Sequence, residues 1–319
     1  MRLLLAAFLF LAAPALLAQD AYPSKSVRLI AAAAPGGNPD VLARMLAAKL
    51  ADAFGRPFVV ENLPGAGGVV AAELVARAPA DGHTLMLGDS GAMAINVALN
   101  PRLGYHPLRD FTLITALAAV PTVLVAPPGL AATSLQDFVA LAKASPGKLN
   151  YGSAGNGSVH HLTMAVFASR AGIDLVHVPY KGGTALVAGV LTGEVQAGWS
   201  GIPNVLSHVR AGKLKVYAIS TAQRSQTLPD VATADEQGFR GFDIATVIGL
   251  QAPAGTSREI VARLQTTVAR VLRERDIAER MANLAMELRE NGTEHYVRFV
   301  KEDLERYAAA VRAAGIRQE

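Results

Sequence analysis

An α/β fold in two lobes is what this sequence predicts, and three observations carry the prediction. From residue 25 onward, short apolar runs alternate with stretches of helical spacing, the pattern of strand–helix–strand units on a largely parallel sheet. The 319 residues fit about two domains. Glycine-rich turns open a helix in each of two separated blocks, and proline-bearing segments at 121–128 and near 253 are placed to serve as paired crossovers between lobes.

The chain opens on MRLLLAAFLFLAAPALLAQDAYPSK. One arginine precedes an apolar run, and Ala15 and Ala18 stand near a cleavage point, so residues 1–18 read as a signal peptide and the mature chain as exported. A single membrane anchor is the alternative, but a run of ~17 residues is marginal for spanning a bilayer. No cysteine occurs anywhere. That excludes disulfides, thiolate chemistry and a lipid-modified cysteine, and fits a bacterial periplasm better than a disulfide-rich extracellular setting. Hydrophobic residues make up 51% and charged residues 18%, which provides a sizeable core and argues against disorder. The 30 basic and 26 acidic residues are interspersed, for a net charge of +4. No basic run or basic–aromatic patch points to nucleic acid; a mild positive excess suits an anionic ligand.

VRLIAAAA (27–34) is the first strand, and Leu42, Met45, Leu46, Leu50 and Phe54 then recur at helical spacing. PFVVEN is the second strand, a helix follows the glycines of PGAGG, and HTLMLG is the third strand. A second block begins after VPTVLVAPPG. It holds a helix near Ser134–Ala144, a strand at LNYGS, a helix from about Ser158, a strand at DLVHVPY and a helix near Thr184–Leu191. EVQAGWS and KLKVYAIS are further strands. The last block opens with IATVIGLQAPAG and is mostly helical. Thr256 and Ser257 followed by Glu259 mark one helix start. Thr293 is expected to cap another, with Tyr296, Phe299, Val300, Leu304, Tyr307 and Val311 on one face. No internal repeat is visible.

Two loops stand out for chemistry. In Pro35-Gly36-Gly37-Asn38-Pro39-Asp40, glycines at a strand end allow positive φ and close backbone approach. The helix that follows aims free N–H groups at the loop, an arrangement that favours an anion. Asp40 is expected to accept hydrogen bonds from loop amides and hold the loop's shape. A plain tight turn with a capping Asp is the other reading. No Gly-Lys-Ser/Thr follows, so this is not a nucleotide P-loop. NYGSAGNGSVHHL (150–162) is the second loop, with Gly152, Gly155 and Gly157, hydroxyls at Ser153 and Ser158, and another helix start. Its spacing is not that of a dinucleotide fingerprint. One such loop in each lobe fits a ligand gripped between two helix N-termini.

The remaining candidates are weaker. GDSG (88–91) matches a serine-protease nucleophile segment, but that fold is all-β and usually cysteine-rich; a third ligand loop offering the Ser90 hydroxyl is the better reading. A secreted serine hydrolase using Ser90 or Ser153 with a histidine is the rival class, and G-x-S-x-G is absent. Adjacent His160 and His161 point in different directions on a helix and do not chelate. No cofactor motif or metal-ligand cluster appears. In HVPYKGG (177–183), Tyr180 is placed to face the cleft and Lys181 to be solvated. NGT (291–293) matches a glycosylation sequon and reads better as helix capping.

PGGNPD, VENLPGAGG, DGHTLMLG, YGSAGNGSVHHL, VHVPYKGG and LPDVATADEQG resemble, in that order, the motifs of the Bug family. These are periplasmic solute-binding proteins of tripartite tricarboxylate transporters. The resemblance covers the chain from about residue 22 to the end. It implies a type II periplasmic-binding-protein fold: two lobes joined by two crossovers, residues 19–122 with 244–319 forming one and 123–243 the other. It also implies a monomer that binds a small organic acid through backbone amides and waters without an arginine clamp. Its partners would be the transporter's membrane subunits, or a membrane sensor kinase if the same cleft serves sensing. Carried over residue by residue, Pro35, Gly36, Gly37, Asp40 and Ser90 are expected from the first lobe, and Ser153, Gly155, Gly157, Ser158 and His161 from the second. The chain departs from the family at AAAAPGG, where an aromatic-proline pair is usual, and in ATVIGLQAP, which lacks a common Trp. It departs again at Ser200-Gly201, where Asp-Asn is common. Ser200 is also expected at the site; an Asp there would pair a ligand ammonium, so Ser200 argues against an amino-acid ligand.

Overall fold

The computed structural model describes residues 22–288 and 292–313; the expected signal peptide and Asn291 of the sequon lie outside the described residues. The first half runs β1 (Val27–Ala31), α1 (Asn38–Phe54), β2 (Phe58–Asn62), a 3-10 turn (Ala66–Gly68), α2 (Val69–Ala76), β3 (Thr84–Asp89), a π-helical turn (Gly91–Ile95), α3 (Asn96–Leu99), α4 (Pro107–Asp110) and the long β4 (Phe111–Ala126). The second half runs α5 (Leu135–Ala144), β5 (Asn150–Ser153), α6 (Val159–Ala171), β6 (Val176–Pro179), α7 (Gly183–Thr192), β7 (Ala197–Gly201), α8 (Ile202–Arg210) and β8 (Lys215–Ile219). The chain then returns through β9 (Ala245–Pro253) to α9 (Arg258–Leu272), α10 (Arg275–Asn283), β10 (Glu287–Leu288) and α11 (Thr293–Ala313).

The first half's strands lie in the order β2-β1-β3-β9-β4. β1 is parallel to β2 and β3, while β9 runs antiparallel between β3 and β4. The second half repeats the plan. β5 is parallel to β6 and β7, and the end of β4 takes the antiparallel place, with β7 on one side and β8 on the other. An architectural repeat is thus present where the sequence displays none.

β4 belongs to both sheets: Phe111 to Pro121 register with β9, and Thr122 to Ala126 with β7 and β8. The second passage, from β8 to β9, touches the first at the same point. Ser220 N–H donates to the Thr122 carbonyl at 2.9 Å, and Ile244 N–H donates to the Ser220 carbonyl at 2.8 Å. The Thr122 hydroxyl donates to Ser220 Oγ at 2.8 Å. Two crossovers meeting there, with glycine loops facing one another beyond, give the type II periplasmic-binding-protein fold.

Both faces of each sheet are covered, which is why the strands read as nearly continuous apolar runs. In the first half Leu29 and Leu85 face Leu42, Leu46 and Leu50 of α1 and Leu264 and Val268 of α9. Their neighbours Ile30 and Met86 face Ala72 and Val75 of α2 and Tyr296 and Val300 of α11. In the second half Leu124 and Trp199 pack on Phe138 and Phe167, and Val123 and Val125 on Leu186, Val190 and Val205. Helix starts follow the hydroxyl caps: Ser134 accepts from Asp137 N–H at 3.0 Å, and Ser257 from Ile260 N–H at 3.3 Å.

Two expectations differ at the C-terminus. Thr293 is the first residue of α11 and not its cap; Gly292 supplies the carbonyl that Tyr296 N–H reaches at 3.0 Å. The Thr293 hydroxyl instead donates to the Ile114 carbonyl of β4 at 2.9 Å. On the helix face predicted from spacing Tyr296, Val300, Tyr307 and Val311 are buried and Phe299 and Leu304 half-buried, but Tyr307 and Val311 pack into the second half's cluster with Phe138 and Trp199. The helix is therefore shared between the halves.

Candidate functional site

The loop after β1 is built as the sequence implied, with one change of detail. Positive φ falls on Gly36 (79°), while Gly37 is extended and caps α1. Asp40 Oδ2 accepts the Gly36 N–H at 2.8 Å, and Oδ1 accepts from Asn62 Nδ2 at 2.8 Å and Arg44 Nε at 2.9 Å. Burial pushes the Asp40 carboxyl up, but the Gly36 N–H, Arg44 and Asn62 outweigh it and hold the group below its ordinary range. Asp40 therefore braces the loop from behind.

The loop after β5 is held in a similar way. Ser158 Oγ caps α6 by accepting from His161 N–H at 3.2 Å and donates to the Gly155 carbonyl at 2.7 Å. Ser153 Oγ lies 2.7 Å from His177 Nε2 and accepts from Gly155 N–H at 3.1 Å. His161 stacks on His177, centroids 4.2 Å apart.

A cavity of about 420 Å³ lies between the halves. The loops after β1, β2, β5 and β6 line it, joined by the end of β3, Asn204 and Thr246. α1, α6 and α7 all begin at its wall, so three helix N-termini meet there. The rims approach closely: a methyl added to Gly182 would stand 3.2 Å from Ala34 Cβ, and one added to Gly36 would stand 3.4 Å from Thr184 Oγ1.

Of the expected site residues, Gly37, Gly155 and Ser158 line the cavity. Pro35 and Gly36 form the exposed tip of the first loop, and Asp40 lies behind it. Ser153, Gly157 and His161 shape the second loop without lining the cavity. Ser90 is turned away: its hydroxyl donates to Asp303 Oδ2 at 3.1 Å and accepts from Val247 N–H at 3.2 Å. Ser200 is fully buried in β7, with Oγ unpartnered and off the cavity wall.

Sequence reasoning passed over several lining residues. His160 lines the cavity in place of His161; neither of its ring nitrogens has a partner, and burial lowers its pKa to about 4, which keeps it neutral. Asp89 lines it in place of its neighbour Ser90, and burial pushes its carboxyl up to about 6. Lys181 lines it with Gly182 and Gly183, beside Tyr180, which the sequence did place at the cleft. The glycines of PGAGG also contribute; a third glycine turn at a strand end was the available signal. No arginine among the described residues lines the cavity. Ser90 pairs with an acid and Ser153 with a histidine, each away from the cavity, so no serine–histidine–acid relay among the described residues opens onto it. No group of three or more His, Asp or Glu among the described residues could hold a metal ion. Nor is any described helix long and apolar enough to cross a membrane.

A two-lobed solute-binding receptor is the class that this fold and this cavity define. The TctC family, described as the tripartite tricarboxylate transporter family receptor, matches residues 42–316, and the chain belongs to that family. It is 34% identical over 297 residues to protein BugT of Bordetella pertussis (strain Tohama I), covering 93% of this chain and 91% of BugT. Among solved structures it resembles Rpa4515 of R. palustris with adipate (TM-score 0.89, 32% identity, 93% of this chain and 99% of that one). It also resembles MatC of Rhodopseudomonas palustris with bound malate (TM-score 0.87, 33% identity, 91% and 100%).

Proposed function

We propose that this protein is exported to the periplasm, captures a small organic carboxylate between its lobes and delivers it to the membrane subunits of a tripartite tricarboxylate transporter. It acts as a monomer without catalysis, with residues 19–122 and 244–319 as one lobe and 123–243 as the other. The observation that carries the reading is the cavity wall. Three helix N-termini converge on about 420 Å³ with no arginine among the described lining residues. Two structural relatives hold small organic carboxylates, adipate and malate, which supports that ligand class.

Backbone N–H groups hold an anion without the desolvation cost of a buried cation. Each hydrogen bond to a charged group contributes ~1.5–3 kcal/mol. Four or five, less the cost of ordering and closing, reach micromolar affinity, about −8 kcal/mol. The ligand favours the closed state only by binding it better than the open one.

The test is thermal unfolding of the mature protein, shown to be ligand-free, against mono-, di- and tricarboxylates, amino acids and aromatic acids. At a hundredfold excess over Kd a ligand adds ~2.7 kcal/mol of stability, a clear rise in Tm. A rise confined to one type of carboxylate supports the reading; no rise with any acid overturns it. Uptake of the identified acid in cells lacking this gene then tests delivery. Unchanged uptake with a lost transcriptional response would assign the receptor to a sensor kinase.

A further inference from the structure

Asp89 is out of place in a cavity meant only for anions. It is the last residue of β3, half-buried, and lines the cavity. Its Oδ1 accepts the N–H of Gly91 at 2.9 Å and that of Ala92 at 3.4 Å. No lysine, arginine or histidine among the described residues pairs with it. Burial is the main influence on its carboxyl, opposed only by backbone N–H groups. An ionised carboxylate left without a cation in such surroundings is costly. It also repels a ligand carboxylate sharing the same small space. Among the described residues the only other charged side chain on the wall is Lys181, which is exposed at the rim.

We propose that Asp89 is the specificity-determining residue of this cavity and selects zwitterionic organic acids, whose ammonium group it pairs while the helix N-termini take the carboxylate. The inference rests on the carboxylate reading above and narrows it. A cation on the ligand supplies what the protein withholds from Asp89 and removes the like-charge conflict that a plain dicarboxylate meets. A hydroxyl donates a hydrogen bond but leaves the charge uncompensated. Capping the turn that follows β3 explains Oδ1, and an asparagine there would cap equally well; it does not explain a charge on the wall.

The experiment is titration calorimetry with succinate, malate, aspartate, propionate and β-alanine on the ligand-free mature protein and on Asp89→Asn, which keeps the capping oxygen. Wild type is expected to bind aspartate at least tenfold tighter than succinate, with malate between, and β-alanine tighter than propionate. In Asp89→Asn the preference for the amino members should shrink to less than threefold, while succinate binds more tightly than to wild type. Tighter binding of succinate or malate than aspartate by wild type overturns the inference, as does an ammonium preference that survives in Asp89→Asn. Either result leaves the carboxylate reading standing, whereas no binding of any acid overturns both. The wild-type ranking decides without the variant should Asp89→Asn fold poorly.

Discussion

Asn96 donates its side-chain amide to the carbonyl of Gly157 at 3.1 Å, and the same Nδ2 reaches the carbonyls of Gly91 at 2.8 Å and Gly67 at 3.2 Å. One fully buried side chain thus joins the glycine loop of the second half to two segments of the first. Gly157 has φ of 72°, and a methyl there would stand 2.2 Å from Asn96 Oδ1. The loop and the amide are fitted to one another.

Asn96→Ala is expected to loosen the closed arrangement and weaken ligand binding about tenfold, the size of one or two lost buried hydrogen bonds at ~1 kcal/mol each. Gly157→Ala should weaken it more, through strain and collision. In a double-mutant cycle the Gly157→Ala penalty should be smaller in the Asn96→Ala background, because the colliding amide is gone. Calorimetric affinities for all four proteins measure this; simple additivity would show that the two residues act separately.

Ser90→Ala is expected to lower stability and spare affinity. The hydroxyl links Asp303 Oδ2 of α11 to the Val247 N–H of β9, so its loss deprives both buried groups of a partner, at a cost of ~1–3 kcal/mol, while Asp303 Oδ1 keeps Arg306. Urea unfolding alongside calorimetry separates the two effects. A drop in affinity with unchanged stability would return Ser90 to the ligand.

Asp40→Ala should lower affinity through a residue that does not line the cavity. Removing the carboxylate frees the Gly36 N–H and the tip of the first loop, and affinity is expected to fall roughly tenfold, ~1.4 kcal/mol. Asp40→Asn, which keeps an acceptor, should recover part of the loss. Equal damage from both variants would mean that charge, not shape, is what the loop needs.

Two acids and two histidines pull stability in opposite directions over one pH range. Burial raises Asp89 and Asp303 from 3.8 to about 6. Between those values the folded chain keeps protons that the unfolded chain has released, so this contribution falls as pH rises. Burial lowers His160 from 6.5 to about 4, and burial with His161 alongside does the same for His177. Here the unfolded chain holds the extra protons, so this contribution is lost as pH falls from 6.5 towards 4. His160→Gln removes one opposing contribution. Relative to wild type, its unfolding free energy should decline as pH rises from 4 to 6.5. Urea titrations across that range check the slope, and parallel profiles would contradict it.

Strands and glycine loops were legible in the sequence because burial on both faces leaves short apolar runs and positive φ calls for glycine: Leu29 and Ile30 face opposite layers and are both buried, and Gly36 stands where glycine turns freely. What could not be read depends on phase. Whether Asp89 or Ser90 meets the cavity is decided by the turn from β3 into a π-helical segment, which spacing does not reveal. His160 rather than His161 lines the cavity because the Ser158 cap sets the rotation of α6. Ser200 lies off the cavity wall because of the parity of β7, which spacing does not reveal. Sheet order was hidden because β9 enters the first half from beyond residue 244.

That insertion also governs when the molecule can fold. β9 lies between β3 and β4, so the half whose strands are made first lacks an interior strand until residue 253 has been synthesised. The second half, whose strands all precede residue 220, has no such gap. Long-range pairing of this kind is slow to form. The half that is begun first thus stays open until late in synthesis, which suits the export proposed above.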